Sequence, residues 1–254
     1  FLSKPHQEMI DDLLSEIPFK YVKFHGLLDD TMHVIKKRGD HYTYSFFYID
    51  MVLDYIMKLG IKPLIQLSYM PSCLTENAPH YDNGMIVSLP NNDEEFLKLI
   101  KALIIHLIER YGLKEIESWP FTFWNAPDTS KYAYGVDDNK HFFNLYKEIF
   151  NLVKQISSKI EFGSPSLLPI CEETIKFDKE FLDFARTNDC YPDFLIVHYF
   201  ENNFSNYFKQ INKEQFPTDT NNFKKFIDFV KSPDFYYGKK VYLTEFNFTS
   251  SHRN

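Results

Sequence analysis

The sequence predicts an α/β fold in which helices cover a parallel sheet, arranged as a TIM-type barrel. Segments with helical periodicity alternate with short β-branched or aromatic segments along the chain, and this alternation is typical of parallel sheets. Polar residues also recur at the ends of the predicted strands, where a TIM barrel carries its active site. The length of 254 residues suits one large domain better than two small ones.

The first half of the chain contains three predicted helices, each followed by a predicted strand. Apolar residues three or four positions apart place one face of each helix in a core. In the third helix, Asn92 or Asp93 can cap the first turn, and Gly112 ends the helix. The predicted helices span residues 5–17, 44–59 and 94–111, and the predicted strands are 21–26, 63–69 and a run that begins at Trp119 and stops at Asn125-Ala126-Pro127.

The second half repeats this alternation without an internal sequence repeat or a linker that would divide the domain. The predicted helices are 139–156, 178–187 and 221–230, and the predicted strands are 159–163, 194–198 and 240–246. Residues 202–222 are polar and rich in Asn, Lys and Thr, which predicts a long loop.

The composition excludes several classes of function. The formal net charge of −7 argues against a surface that binds nucleic-acid phosphates. No apolar run reaches the length of about 18 residues that a membrane span needs. No Gly-rich phosphate loop or zinc-type Cys and His spacing occurs. We therefore expect no cofactor, no metal, no membrane contact and no nucleic-acid contact by this segment.

Cysteine usage and the chain ends suggest where the protein works. Cys73, Cys171 and Cys190 are odd in number and follow no metal-site spacing, which favours reduced thiols and a cytoplasmic location. The sequence begins at Phe1 without a signal-peptide pattern and stops in a polar tail. We expect it to be part of a longer polypeptide with flanking domains.

Polar side chains lie at or near the C-terminal ends of five predicted strands. In a TIM barrel the βα loops gather around these strand ends and form the active site. A single residue of this kind is more often structural, but five in phase with the strands indicate a site. These residues are His25, Gln66, Asn125, His198 and Glu245.

A series of short motifs along nearly the whole chain carries a family resemblance. The motifs are Phe24-His-Gly-Leu-Leu-Asp-Asp30, Tyr48-Ile-Asp50, Gly60-Ile-Lys-Pro63, Tyr69-Met-Pro71, Arg110-Tyr-Gly-Leu113, Trp119-Pro-Phe121, Trp124-Asn-Ala-Pro127, His198 and Leu243-Thr-Glu-Phe-Asn247. In this order they resemble glycoside hydrolase family 39, which contains β-xylosidases and α-L-iduronidases. The bacterial β-xylosidases are the more similar branch. The resemblance implies a retaining sugar hydrolase that needs no cofactor.

The resemblance also implies roles for the strand-end residues. Glu245 matches the catalytic nucleophile at the end of the seventh barrel strand, and Asn125 matches the residue that hydrogen-bonds the 2-hydroxyl of the sugar. His25 and His198 match pocket histidines, and Trp124 would help to shape the pocket.

Three positions depart from the family pattern. Ala126 stands where the family carries the acid/base glutamate of an Asn-Glu-Pro motif, so this position has no proton to give. Gln66 stands where the xylosidases tend to carry a carboxylate, and Phe200 stands where a tyrosine hydroxyl is expected. Together with Asn247, both still belong to the expected substrate-binding set.

The resemblance further implies that residues 1–254 form an incomplete barrel. The family's first and eighth strands have no counterpart, because the chain opens on the first helix and closes just after the seventh strand. Flanking sequence or another chain would have to complete the barrel.

The missing acid leaves three hypotheses for the function. A retaining glycosidase needs two carboxyl groups about 5–5.5 Å apart, and a positioned general acid contributes about 10²–10⁴-fold to the rate. The first hypothesis, favoured because two further polar groups are lost, is a pseudoenzyme that binds or senses a small sugar such as xylose or xylobiose. It resembles domains attached to AraC-type transcription regulators of Gram-positive bacteria.

The second hypothesis is a retaining β-xylosidase whose acid/base residue has been replaced, naturally or to trap a complex. Asp128, in the loop after Pro127, can in principle stand in for the missing acid, although its side chain is shorter. The third hypothesis is a purely structural barrel that mediates protein contacts, in which Glu245 is left over.

Overall fold

The computed structural model describes residues 3–75, 84–129, 139–169, 172–201, 222–233, 235 and 238–247. Nearly all of the predicted loop 202–222 lies outside these residues, as does Cys171. Helices and parallel strands alternate along the chain, as the sequence predicts. In chain order the elements are α1 (Lys4–Glu16), β1 (Tyr21–Lys23), β2 (Ile35–Arg38), β3 (His41–Tyr44), α2 (Phe47–Lys58), β4 (Lys62–Leu67), α3 (Asp93–Tyr111), α4 (Leu113–Ile116), β5 (Phe121–Phe123), α5 (Asn139–Ile156), β6 (Ser166–Leu167), α6 (Glu172–Thr187), β7 (Phe194–Phe200), α7 (Asn222–Val230) and β8 (Lys240–Asn247).

The chain divides into two compact units. The first comprises Phe1–Phe123 and Glu148–Glu161, and the second comprises Trp124–Lys147 and Phe162–Asn254. Each unit is built on its own three-stranded parallel sheet, in the order β1-β4-β5 in the first unit and β6-β7-β8 in the second. Helices connect successive strands, because parallel strands need a long crossover.

Helix α3 of the first unit illustrates how the local sequence sets an element's boundaries. The side chain of Asn92 accepts a hydrogen bond from the Glu95 N–H at 3.2 Å, which satisfies one of the free donors of the first turn. Gly112 ends the helix with φ at +87°, a conformation that glycine adopts readily. The predicted cap and end of this helix are confirmed. Its buried face carries Phe96, Leu99, Ile100, Leu103, Ile104 and Leu107.

A β-hairpin that the sequence analysis did not predict lies between β1 and α2. Strands β2 and β3 are antiparallel, with Ile35 opposite Tyr44 and Arg38 opposite His41. Gly39 makes the turn between them with φ at +60°. Because Tyr44 is held in β3, helix α2 begins at Phe47 and not at residue 44.

The strand predicted at residues 159–163 is wrong, since the corresponding strand, β6, is Ser166–Leu167. Residues before β6 are held by a mixture of backbone and side-chain bonds: the Phe162 N–H donates to Asp193 Oδ2 at 2.7 Å. Gly163 lies so close to β7 that an added Cβ would stand 2.1 Å from the Phe194 ring. This close approach requires glycine and interrupts the regular ladder.

Aromatic side chains fill the core of the second unit. Phe143 on α5 packs against Phe177 and Phe181 of α6, with ring centroids 5.3 and 5.6 Å apart. Tyr146 meets Phe181 edge-on at 4.8 Å, and its hydroxyl donates to the Gly163 carbonyl at 3.0 Å. Many of the aromatic residues of the sequence therefore belong to the core, as expected.

Among the described residues, no helix is long and apolar enough to cross a membrane. The described residues also contain no group of three or more His, Cys, Asp or Glu side chains that could hold a metal ion. Cys73 and Cys190 are both free thiols.

Candidate active site

The turn that follows β5 carries three candidate residues, and its backbone is held against β6. Trp124 and Ala126 both adopt positive φ, at +67° and +47°, which non-glycine residues rarely do. The Ser166 N–H donates to the Trp124 carbonyl at 3.3 Å, and the Ala126 N–H donates to the Ser166 carbonyl at 2.8 Å. These two bonds make Asn125 and Ser166 a parallel bridge. Trp124, Asn125 and Ala126 are all buried.

Glu245 lies beside His198 on the neighbouring strand. Its Oε1 atom stands 3.5 Å from His198 Nε2. His198 is 1% exposed and Glu245 is 28% exposed, so the carboxylate touches a buried imidazole on one side and remains accessible on the other. A carboxylate placed in this way can attack or hold a ligand.

A register shift between β7 and β8 brings these two side chains together. Val197 pairs with Leu243, whereas the next residue of β7, His198, pairs with Glu245. Thr244 is therefore the extra residue of a β-bulge. A bulge re-aims the side chains that follow it, and the sequence alone gives no sign of its position.

The second unit thus places the Ala126 turn and Glu245 at the same end of one sheet. Asn125 bridges to Ser166 in β6, β6 pairs with β7, and His198 of β7 pairs with Glu245 of β8. All of these pairings are parallel, so the C-terminal strand ends lie along one edge. Along this edge two strands, β6 and β7, lie between the expected acid/base position and the expected nucleophile position.

Phe200 and Asn247 occupy the last register pair of β7 and β8. The Phe200 ring lies 6.4 Å from the His198 ring, nearly perpendicular to it. Phe200 is half-buried and Asn247 is exposed. Both residues therefore belong to the same strand ends as Glu245.

His25 and Gln66 meet in the first unit. His25 Nδ1 lies 2.9 Å from Gln66 Oε1, and Gln66 is buried whereas His25 is exposed. An amide oxygen only accepts, so the His25 Nδ1–H is the donor in this pair.

A cavity of about 320 Å³ adjoins this histidine. Asp29 lines it and accepts the Tyr69 N–H at 3.0 Å, and burial raises the pKa of the Asp29 carboxyl. Gly26 permits this arrangement, because a Cβ there would stand 2.5 Å from Asp29 Oδ2. The lining residues are Phe24, His25, Gly26, Asp29, Thr31, Met32 and Val52.

Asp128 has a contact that the sequence analysis did not anticipate. Its Oδ2 atom accepts the Leu168 N–H at 2.6 Å. Its Oδ1 atom is buried and has no hydrogen-bond partner among the described residues. Burial raises the pKa of Asp128 to about 7, although the bond from Leu168 acts in the opposite direction. Ser166 and Leu168 hold this turn through backbone groups, so no sequence signal marks them.

The match to a known family covers almost the whole chain. The sequence profile described as Glycosyl hydrolases family 39 matches residues 3–254. The chain belongs to glycoside hydrolase family 39. The matched region includes both the turn at Ala126 and the strand that carries Glu245.

Relatives of this family 39 chain include two bacterial β-xylosidases. It is 33% identical to the β-xylosidase of Caldicellulosiruptor saccharolyticus over 187 residues, which cover 72% of this chain and 37% of that protein. It is 27% identical to the β-xylosidase of Geobacillus stearothermophilus over 259 residues, which cover 97% of this chain and 50% of that protein. The chain therefore spans half the length of these relatives or less.

The fold agrees with solved structures of the same family. A family 39 β-xylosidase from Caulobacter crescentus matches with a TM-score of 0.81 at 22% identity, over 99% of this chain and 52% of that one. The predicted α/β fold is thereby confirmed as the fold of family 39, whose enzymes are TIM-barrel-like.

Proposed function

We propose that this family 39 chain is a degenerate β-xylosidase-like domain that binds a small sugar of the xylose type without hydrolysing it efficiently. The observation that carries the proposal is the buried Ala126 at the end of β5, on the same sheet edge as Glu245. The β-xylosidase relatives support the class of sugar.

Ala126 keeps the backbone of a functional position without the side chain. A residue with a Cβ at φ of +47° is strained by about 1 kcal/mol, and such strain is concentrated at functional sites. The two hydrogen bonds to Ser166 hold the turn in place. At this turn the proton donor is lost and the backbone is kept, so a ligand site can persist where catalysis does not.

The chemistry of a retaining glycosidase explains the consequence. The leaving oxygen must be protonated as the nucleophile attacks, and a positioned general acid contributes about 10²–10⁴-fold. Alanine has no proton to give. Glu245 beside His198 can therefore still contact a bound sugar or attack its anomeric carbon. Without a proton donor, however, an ordinary sugar alkoxide leaves slowly.

Two further positions support natural drift over a single replacement. The amide of Gln66 is buried and hydrogen-bonded to His25, and an amide cannot supply the negative charge of a carboxylate. Phe200 has no hydroxyl to offer a ligand. We propose that His25, Gln66, Trp124, Asn125, His198, Phe200 and Asn247 contribute to sugar binding within their respective units.

The domain is further proposed to work inside a larger protein. The described residues contain six parallel strands, three in each unit, whereas a TIM barrel has eight. We infer that flanking sequence or another chain supplies the rest. A cytoplasmic AraC-type regulator of a Gram-positive bacterium is the proposed setting. This proposal rests on the resemblance noted in the sequence, and the free thiols of Cys73 and Cys190 fit a reducing location.

Calorimetric titration of the full chain with xylose and xylobiose tests the binding role. We expect heat of binding and a ligand-induced rise in melting temperature, both lost in Glu245→Leu. Lys98, an exposed residue on α3 paired with Glu94 and Glu95, offers a control variant, Lys98→Gln, that should bind as the wild type does. Absence of heat and of a melting shift with every sugar would favour the structural hypothesis.

Hydrolytic activity is the second candidate function, because Glu245 retains the nucleophile position and a histidine neighbour. The matched variants Ala126→Glu and Ala126→Gln are similar in size, and only the first supplies a proton. If Ala126→Glu alone gives vigorous hydrolysis of xylobiose and Ala126→Gln does not, the rest of the site is intact and the degeneracy proposed above is wrong. Vigorous hydrolysis of xylobiose by the unaltered chain would also exclude it.

A further inference from the structure

The parallel ladder of hydrogen bonds between the Ala126 turn and β6 stops after two bonds. The Ser166 N–H donates to Trp124, and the Ala126 N–H donates to Ser166. In a regular parallel ladder the Leu168 N–H would then donate to the Ala126 carbonyl. That carbonyl instead accepts the N–H and the hydroxyl of Thr129, at 3.2 and 3.0 Å.

The side chain of Asp128 replaces the missing ladder bond to the Leu168 N–H. Its Oδ2 atom accepts the Leu168 N–H at 2.6 Å. Pro127 precedes it and cannot donate a backbone bond. The chain thus turns away from β6 after Ala126, while the Asp128 carboxyl keeps the turn attached to β6.

Three features indicate that this contact serves the site and is not merely a convenient bond. Trp124 and Ala126 hold positive φ on either side of Asn125, a geometry that persists only when its surroundings impose it. The other carboxyl oxygen of Asp128 is buried without a partner among the described residues, which is an unfavourable place for a carboxylate. Burial accordingly raises the pKa of Asp128 to about 7.

We propose that Asp128 is a positioning residue, whose carboxyl replaces the interrupted ladder bond and fixes Asn125 and Ala126 in the orientation that receives the sugar. This role rests on the proposed function, since it concerns the same turn. It places Asp128 behind the site, as a support for Asn125, and not in contact with the ligand.

Two variants of Asp128 separate this role from a general structural one. Asp128→Asn keeps an oxygen that can accept the Leu168 N–H, and Asp128→Leu removes it. Asp193 provides the matched control, because its Oδ2 atom accepts the Phe162 N–H at 2.7 Å in the same unit but away from the turn. Asp193→Leu therefore removes a bond of the same kind elsewhere.

The test follows the indole N–H resonance of Trp124 in the full chain labelled with ¹⁵N-tryptophan. Only two tryptophans are present, so Trp119→Phe assigns the two signals. We expect Asp128→Leu to move the Trp124 resonance and to weaken xylose binding about tenfold, the effect of one lost hydrogen bond. Asp128→Asn should keep the wild-type Trp124 resonance and the wild-type xylose affinity. Asp193→Leu should lower the melting temperature and leave the Trp124 resonance and the xylose affinity unchanged.

The positioning role is wrong if Asp128→Leu changes neither signal nor affinity, or changes them no more than Asp193→Leu does. Should Asp128→Leu fail to fold, Asp128→Ser removes the same bond with a smaller polar side chain and is judged by the same two readouts. If the wild-type chain binds no sugar, the proposed function fails, whereas the Trp124 resonance still decides whether Asp128 holds the turn.

Discussion

His198 and Glu245 face each other across neighbouring strands, with the imidazole Nε2 3.5 Å from the carboxylate Oε1. The bulge at Thr244 creates this pairing by shifting the register between Val197 and His198. A buried imidazole on the inner side limits the orientations that the carboxylate can adopt. The Glu245 side chain nevertheless remains 28% exposed.

Replacement of His198 by leucine should therefore weaken sugar binding. We expect the xylose affinity of His198→Leu to fall by about tenfold or more, since the partner of a partly buried charge is removed. His106→Leu is the control, because His106 Nε2 lies 2.7 Å from Asp50 Oδ1 on the helices of the first unit. Calorimetry that gives equal affinities for both variants would contradict a role for His198.

An activated aryl β-xyloside should trap a glycosyl group on Glu245. A good leaving group departs without protonation, so the first step does not need an acid, whereas water attack in the second step lacks the base that Ala126 cannot provide. Intact-mass spectrometry should show one added pentosyl unit on the wild-type chain and none on Glu245→Gln. Peptide mapping that places the added sugar on a residue other than Glu245 would refute the assignment.

The positive φ at residue 126 can be tested without any ligand. Ala126→Gly should leave the free energy of unfolding unchanged or raise it by up to about 1 kcal/mol, because glycine has no Cβ to strain at this φ. Ala102→Gly, in the middle of α3, should lower it by about 1 kcal/mol. Urea denaturation measures both, and a similar loss in the two variants would show that the turn is not strained.

Asp128 should make stability depend on pH. Its pKa is raised to about 7 in the folded chain from an ordinary value of 3.8, so between these values the unfolded chain binds fewer protons than the folded one. The contribution of Asp128 to stability is then full below about pH 4 and declines as the pH rises towards 7. Asp128→Asn should remove about 1–4 kcal/mol of this decline. Urea denaturation at pH 4, 5.5, 7 and 8 checks it, and equal slopes in both proteins would count against a buried, protonated Asp128.

The helices were predictable wherever local signals set both ends. The span of α5, residues 139–156, follows from apolar periodicity alone, and the boundaries of α3 follow from Asn92 and Gly112. The hairpin β2–β3 was missed because Tyr44 serves equally well in a strand or at a helix start. Strand β6 was misplaced because the approach of Gly163 to Phe194 depends on a residue that is distant in the sequence.

The sequence gives the candidate residues of the proposed site but not the geometry that relates them. Polar residues at strand ends identify His198 and Glu245, yet the bulge that pairs them is a property of two strands together. Positive φ at Trp124 and Ala126 cannot be anticipated, because neither residue is glycine. The bond from Leu168 to Asp128 joins residues 40 positions apart, which no local pattern records.

The left-handed backbone of Ala126 has an evolutionary consequence. Its β-carbon already bears the strain of that conformation, so a longer side chain there adds little conformational penalty of its own. Every alanine codon differs by a single base from a codon for glutamate or aspartate. On the function proposed above, a lineage that carries this gene stays one point mutation away from regaining a proton donor in a loop that already has the right shape.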